Sequence, residues 1–223
     1  MMRATWIGRG AGVVTAQVVH VPLLLLPTFL LSGPREMEWS TICLALAVVM
    51  AAVLEGLFVT QRFVTPGDEV HDHVAVKMAC FVGICLLSIF WSSQVEQFIQ
   101  GSRSLPLHCT GGALLLVGIA LRMLAIQALG NQFISDIQVG SEIVRDGIYA
   151  WLRHPSEIGL LLIAAGGPLL VGAPLTAITA LLLLLPISLW RMRREDLALA
   201  LAARSPSTAS HGRLSAKAAY CEL

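Results

Sequence analysis

Charge is scarce in this sequence. Asp, Glu, Lys and Arg make up 13% of its 223 residues, where a soluble domain carries about 25%. That shortage excludes an ordinary water-soluble fold. With a net charge of only +1 it also gives no reason to expect a nucleic-acid partner. No Cys-x-x-Cys pair occurs among Cys43, Cys80, Cys85, Cys109 and Cys221, which argues against a redox dithiol, a zinc site or a disulfide framework. Four of these lie in or at the ends of apolar runs and read as small buried hydrophobes. There is no internal repeat and no evident nucleophile–base pair. The uncharged run from Gly10 to Pro34 covers 25 residues. It is too long for a typical signal-peptide core and has no clear cleavage site, so it reads as a first span.

What remains is hydrophobic. Apolar residues make up 56% of the chain and the mean hydropathy is +0.76. The fold class expected is an all-α integral membrane protein. A bilayer-spanning helix needs about 20 mostly apolar residues, and candidates fall at roughly 11–32, 40–60, 76–94 and 109–129. A 33-residue uncharged stretch from Ile158 to Trp190 follows. As one helix it would be about 50 Å long against a hydrocarbon core of about 30 Å. Gly166-Gly167-Pro168 and Gly172-Ala173-Pro174 are breakers within it, so a tight hairpin of helices about 157–171 and 174–191 is expected. The total is about six spans, followed by an amphipathic helix beginning near Arg191. Residues 1–105 read as a transmembrane scaffold, 106–203 as the functional core and 204–223 as a loosely ordered tail.

With six spans, one face collects Arg3, Arg9, Arg62, Arg145, Arg153, Arg191, Arg193, Arg194, Arg204, Arg213 and Lys217; the other holds Arg35 and Arg103. The positive-inside rule makes the first face cytoplasmic and puts both termini there.

Polar residues gather around the long apolar stretch. Arg153-His154-Pro155 stands just before it, and Arg191-Met192-Arg193-Arg194-Glu195-Asp196 just after. Ionisable groups at the mouths of a membrane segment are costly to place and point to a site. Pro155 suits the first turn of a helix, which sets His154 beside an anion-attracting helix N-terminus. Taken alone, the tripeptide also reads as a basic interface anchor. Arg191 and Glu195, at i and i+4, share a helix face; alone they also read as an ordinary surface ion pair. Glu55 and Arg122 lie inside apolar spans and are functional candidates, or partners of each other, or side chains that snorkel to an interface. His71-Asp72-His73 resembles a metal cluster, but three adjacent residues cannot all face one ion in a regular element, and no metal is expected.

In combination these residues resemble the isoprenylcysteine carboxyl methyltransferase family, which groups with the membrane phospholipid methyltransferases. The pattern is carried by Gly147, Tyr149, Arg153, His154, Pro155 and Gly159, then, after a 31-residue gap, by Arg191, Glu195 and Asp196. Leu129-Gly130-Asn131-Gln132-Phe133 and Ile143-Val144 add to it upstream, and the resemblance covers roughly residues 115–200. Glu157 stands where the family usually has Tyr, and the tail lacks the family's Gly-x-x-Tyr-x-x-Tyr pattern. The resemblance implies methyl transfer from S-adenosylmethionine to a carboxylate of a lipidic substrate, such as a prenylated cysteine. Tyr149, His154, Pro155 and Glu195 would bind the cofactor, in a pocket facing the cytoplasm. Arg191 and Arg153 would be catalytic, orienting the substrate carboxylate. The location implied is the endoplasmic reticulum membrane in a eukaryote or the inner membrane in a bacterium. A phospholipid amine or small thiol as acceptor, or a multi-span protein without catalysis, are the alternatives.

The orientation is open to test. In a chain freed of native thiols, a cysteine at position 103 should be protected from a reagent applied on the cytoplasmic side, and one at position 145 should react. The reverse labelling would contradict the six-span arrangement.

Overall fold

The computed structural model describes residues 21–32, 38–59, 69–101, 104–129 and 147–204; the side chains of 56–59, 69–80, Leu129, Glu195 and 198–204 lie outside that description. The described residues are helical throughout, apart from turns. The helices are α1 (Val21–Leu31), α2 (Trp39–Val59), α3 (Glu69–Gln100), α4 (Leu105–Leu129), α5 (Pro155–Leu170) and α6 (Pro174–Arg204), with a 3-10 turn at Gly147–Ala150 before α5. Among the described residues, Phe81–Gln100, Leu105–Ala128 and Pro174–Arg194 are long and apolar enough to cross a membrane; Val21–Leu31, Trp39–Glu55 and Pro155–Leu170 are shorter apolar helices. The outward faces carry Leu30, Leu46, Ile84, Ile99, Leu116 and Leu182, all exposed. An apolar surface of this extent needs a lipid environment.

The hairpin forms, but one set of breakers does not break. Gly166, Gly167 and Pro168 all lie inside α5, and the turn is made at Val171–Ala173. Gly172 takes a φ of +83° there, a conformation that costs glycine nothing. The amides of Val171, Gly172 and Ala173 reach back to the carbonyls of Gly167, Leu169 and Pro168, closing the helix end. Pro174 then opens α6 at the position where proline's missing N–H is harmless. The orphan amides of that first turn are taken by Glu96 of α3, which accepts from Leu175 N at 3.0 Å, Thr176 N at 2.7 Å and Thr176 Oγ1 at 2.6 Å.

No separate helix begins near Arg191. α6 runs unbroken from Pro174 to Arg204, because the residues after Trp190 are mostly strong helix formers with no Gly or Pro before Pro206. α6 therefore extends beyond the start of α5, with Arg191 beside Glu157 and Asp196 beside His154. α3 likewise starts earlier and ends later than the expected span. Cys43 and Cys109 are exposed and Cys85 is partly buried, so the first two face outward from the bundle instead of filling its core.

α5 is the central helix. Eleven of its 16 residues are buried, and Ile163, Ala164 and Leu170 join Leu24, Leu44, Phe90, Leu115 and Leu184 in one core drawn from all six helices. α5 packs antiparallel to α4 along a seam of glycines seven residues apart, Gly111 and Gly118 facing Gly166 and Gly159. A Cβ on Gly118 would lie 2.8 Å from the Gly159 carbonyl oxygen and 2.9 Å from Ile163 N; one on Gly166 would lie 2.5 Å from Leu115 N. Small residues at membrane-helix interfaces let the backbones approach closely, and dispersion replaces the hydrophobic drive that lipid removes.

Gly118→Ala should therefore destabilise the bundle, by about 1–3 kcal/mol for such overpacking, because the atoms it meets are backbone and cannot yield. Gly83→Ala on α3, where a Cβ meets nothing within 4 Å, should be neutral or stabilising by up to about 1 kcal/mol. Unfolding in mixed micelles measures both; equal effects would contradict the close α4–α5 contact.

Candidate functional site

The seam fixes where α5 begins, and the polar residues collect around that end. Gly147, with a φ of +62°, starts the 3-10 turn that holds Tyr149, half-buried, just ahead of the Arg153-His154-Pro155 step. The amides of Trp151 and Leu152 both bond the Ile148 carbonyl. His154 is the N-cap of α5, yet its side chain makes no capping bond there. It points to α6, where its Nε2 lies 3.2 Å from Asp196 Oδ1. Arg153, largely exposed, places Nε 3.0 Å from the same oxygen. Pro155 is buried at the first position of α5.

One turn further, Glu157 is only 5% exposed, and its Oε1 lies 3.1 Å from Arg191 Nη1. The pair ties the first turn of α5 to α6. A carboxylate in that first turn is also favoured by the helix dipole. Beside it, Arg122 of α4 grips Glu55 of α2 with two bonds, Nε to Oε2 at 3.0 Å and Nη2 to Oε1 at 2.6 Å. Its Nη1 donates to Ser156 Oγ at 3.2 Å. Three arginines and three carboxylates thus alternate around the α5 N-terminus, and four helices meet through them.

The two arginines expected to be catalytic, Arg153 and Arg191, are both here, as are Tyr149, His154 and Pro155. The backbone of Glu195 sits between Arg194 and Asp196 on α6, but its side chain lies outside the described residues. Arg191 is bonded to Glu157 across the helix interface, a partner its i, i+4 spacing with Glu195 did not reveal. The sequence reading named Asp196 only as part of the pattern, without its partners, and did not name Ser156. Asp196 joins Arg153 and His154, and Ser156 receives Arg122. The only available signal was a second acid next to Glu195, whose direction depends on where α6 continues. Glu55 and Arg122 pair with each other, one of the readings their sequence context allowed. His71, Asp72 and His73 fall on α3, with side chains outside the described residues. A groove of about 600 Å³, bounded by Trp91, Ser92, Glu96, Leu175, Thr176 and Thr179, opens at the opposite end of α6 and takes no part in this cluster.

A helical membrane protein with a cluster of paired charged residues at one end of a hairpin is the class these features define. Residues 112–201 match the profile of the Isoprenylcysteine carboxyl methyltransferase (ICMT) family. Among curated proteins, the chain is similar to the protein-S-isoprenylcysteine O-methyltransferase of Saccharomyces cerevisiae, with 27% identity over 116 residues. These are 50% of this chain and 48% of that protein. It is also similar to the protein of the same name from Mus musculus, with 24% identity over 128 residues, 56% of this chain and 41% of that one. The chain thus matches less than half the length of either relative. No solved structure matches. The matched segment contains α5, the hairpin, Arg122 and every residue of the cluster except Glu55.

Removing either member of the Arg122–Glu55 pair strands a charge among apolar helices. In a double-mutant cycle of Glu55→Gln and Arg122→Met, each single change should destabilise the protein, and the pair should show a coupling energy of about 0.5–3 kcal/mol. Additive effects in mixed-micelle unfolding would remove the pair from the framework of the site.

Proposed function

We propose that the chain is an S-adenosylmethionine-dependent membrane methyltransferase acting on a carboxylate of a lipidic substrate, as in methylation of a prenylated cysteine. The observation that carries this reading is the convergence of Tyr149, Arg153, His154, Glu157, Arg191 and Asp196 at one end of the α5–α6 pair, within the family segment.

The donor set suits the cofactor. The N-terminus of α5 has no side-chain cap and offers backbone N–H groups to a carboxylate. His154, Tyr149 and the acids of α6 offer partners for ammonium and hydroxyl groups. When bound, S-adenosylmethionine supplies a methyl on a sulfonium, which passes to an acceptor oxygen and leaves a neutral thioether. An acceptor carboxylate is already ionised at neutral pH, so the chain needs no general base. Its work is to align the acceptor and keep water out. Arg191 on α6 holds the acceptor carboxylate, and Arg153 at the exposed edge assists. His154, Tyr149 and Pro155 line the cofactor side with Glu195. Asp196 is a positioning residue, holding His154 and Arg153 against α6. The membrane-facing surface of α6 leaves the lipidic part of the acceptor in the bilayer. A phospholipid amine or a small thiol is the second acceptor class, favoured by the full pairing of the site's arginines.

With purified protein in lipid, His154→Ala should weaken S-adenosylmethionine binding by about tenfold or more, the loss of a hydrogen bond to a charged group being worth about 1.5–3 kcal/mol. Arg191→Lys should lower methyl transfer while leaving cofactor binding intact, because an ammonium cannot reproduce the guanidinium fork on a carboxylate. Turnover and cofactor affinity near those of the unaltered protein in both variants would contradict the assignment.

A further inference from the structure

We infer that Glu157 sets the acceptor selectivity of this site by acting as an internal carboxylate on Arg191, so that an acceptor carboxylate reaches the guanidinium only by displacing it. The inference rests on the reading of Arg191 as the acceptor-binding arginine.

The geometry is specific. Glu157 Oε1 is 3.1 Å from Arg191 Nη1, with 7% of the Glu157 side chain and 25% of the Arg191 side chain exposed. Glu157 is anchored by its place in the first turn of a buried helix, whereas the Arg191 side chain is the more exposed of the two. The surrounding charges are already matched: Arg122 by Glu55, Arg153 by Asp196 and Arg191 by Glu157. An arriving anion therefore finds these three guanidiniums already engaged by carboxylates. Burying its charge there without a freed partner is costly. Glu157 also lies within coulombic range of Arg122, which gives the displaced carboxylate a second positive neighbour. A neutral headgroup of the same shape meets none of this competition. The site consequently discriminates against carboxylates relative to a chain with an uncharged residue at position 157.

The test compares an N-acylated S-prenylcysteine with its carboxamide, as ligands of the full chain in lipid nanodiscs. The unaltered protein should bind the two with affinities within a few-fold of each other. Glu157→Gln, which keeps shape and hydrogen bonding, should prefer the carboxylate by about tenfold or more, the size of a charge-assisted bond restored to Arg191. Its KM for methyl transfer to the carboxylate should fall with little change in kcat. The same carboxylate preference in both proteins, or a loss of kcat in Glu157→Gln, would overturn the proposal; the latter would make Glu157 a support for Arg191. A tenfold carboxylate preference already present in the unaltered protein would overturn it without any variant. If neither protein binds either probe while both bind S-adenosylmethionine, the carboxylate-acceptor reading itself fails, and this inference fails with it.

Discussion

The close approach of the α4 and α5 backbones is the constraint on which the rest depends. Four glycines, at positions 111, 118, 159 and 166, allow it. In lipid there is no hydrophobic gain from bringing two apolar helices together, so association depends on dense packing and on polar contacts. The seam supplies the packing. It fixes α5 in depth and rotation, and so fixes where Pro155, Ser156 and Glu157 emerge at its N-terminal end. α6 is then set by two independent ties, Glu96 at its start and Arg191 to Glu157 seventeen residues later. The charged end of the hairpin is positioned by contacts made along its whole length.

At that end, charge is arranged by alternation. Arg122 bridges Glu55 and Ser156; Glu157 meets Arg191; Asp196 meets Arg153 and His154. Each pair joins different elements, so the cluster ties the helices together, and in the proposed function the same groups receive the ligand. Among the described residues, Arg122, Arg153 and Arg191 each face a carboxylate. Charge compensation of this kind limits the burial penalty in the resting protein.

Much of this was legible in the chain. The apolar runs marked α2 and α4 closely, the hairpin turn was marked by Gly172-Ala173-Pro174, and Arg153, His154 and Arg191 stood out as charges against apolar surroundings. The failures have physical reasons. Gly166-Gly167-Pro168 looked like a breaker because glycine's role in close helix contact cannot be told from its role in turns without knowing what packs against it. Gly166 faces Leu115, and Gly167 faces Phe90. The continuation of α6 past Trp190 was missed because the change from apolar to charged residues suggested a boundary, although helical propensity does not change there. Glu157 was read only as a departure from a pattern. Its bond to Arg191 is a contact between helices, and no spacing within either helix encodes it. Asp196 was undervalued for the same reason.

The central claim is that the α5 N-terminus and the facing turn of α6 form the cofactor site. Photoaffinity labelling with an azido derivative of S-adenosylmethionine, followed by mapping of the labelled peptides, tests it most directly. The account predicts modification within 147–157 or 191–196, competed away by unlabelled cofactor. Competed labelling confined to the far end of the bundle, near Trp91 and Thr176, or no competed labelling at all, would contradict it.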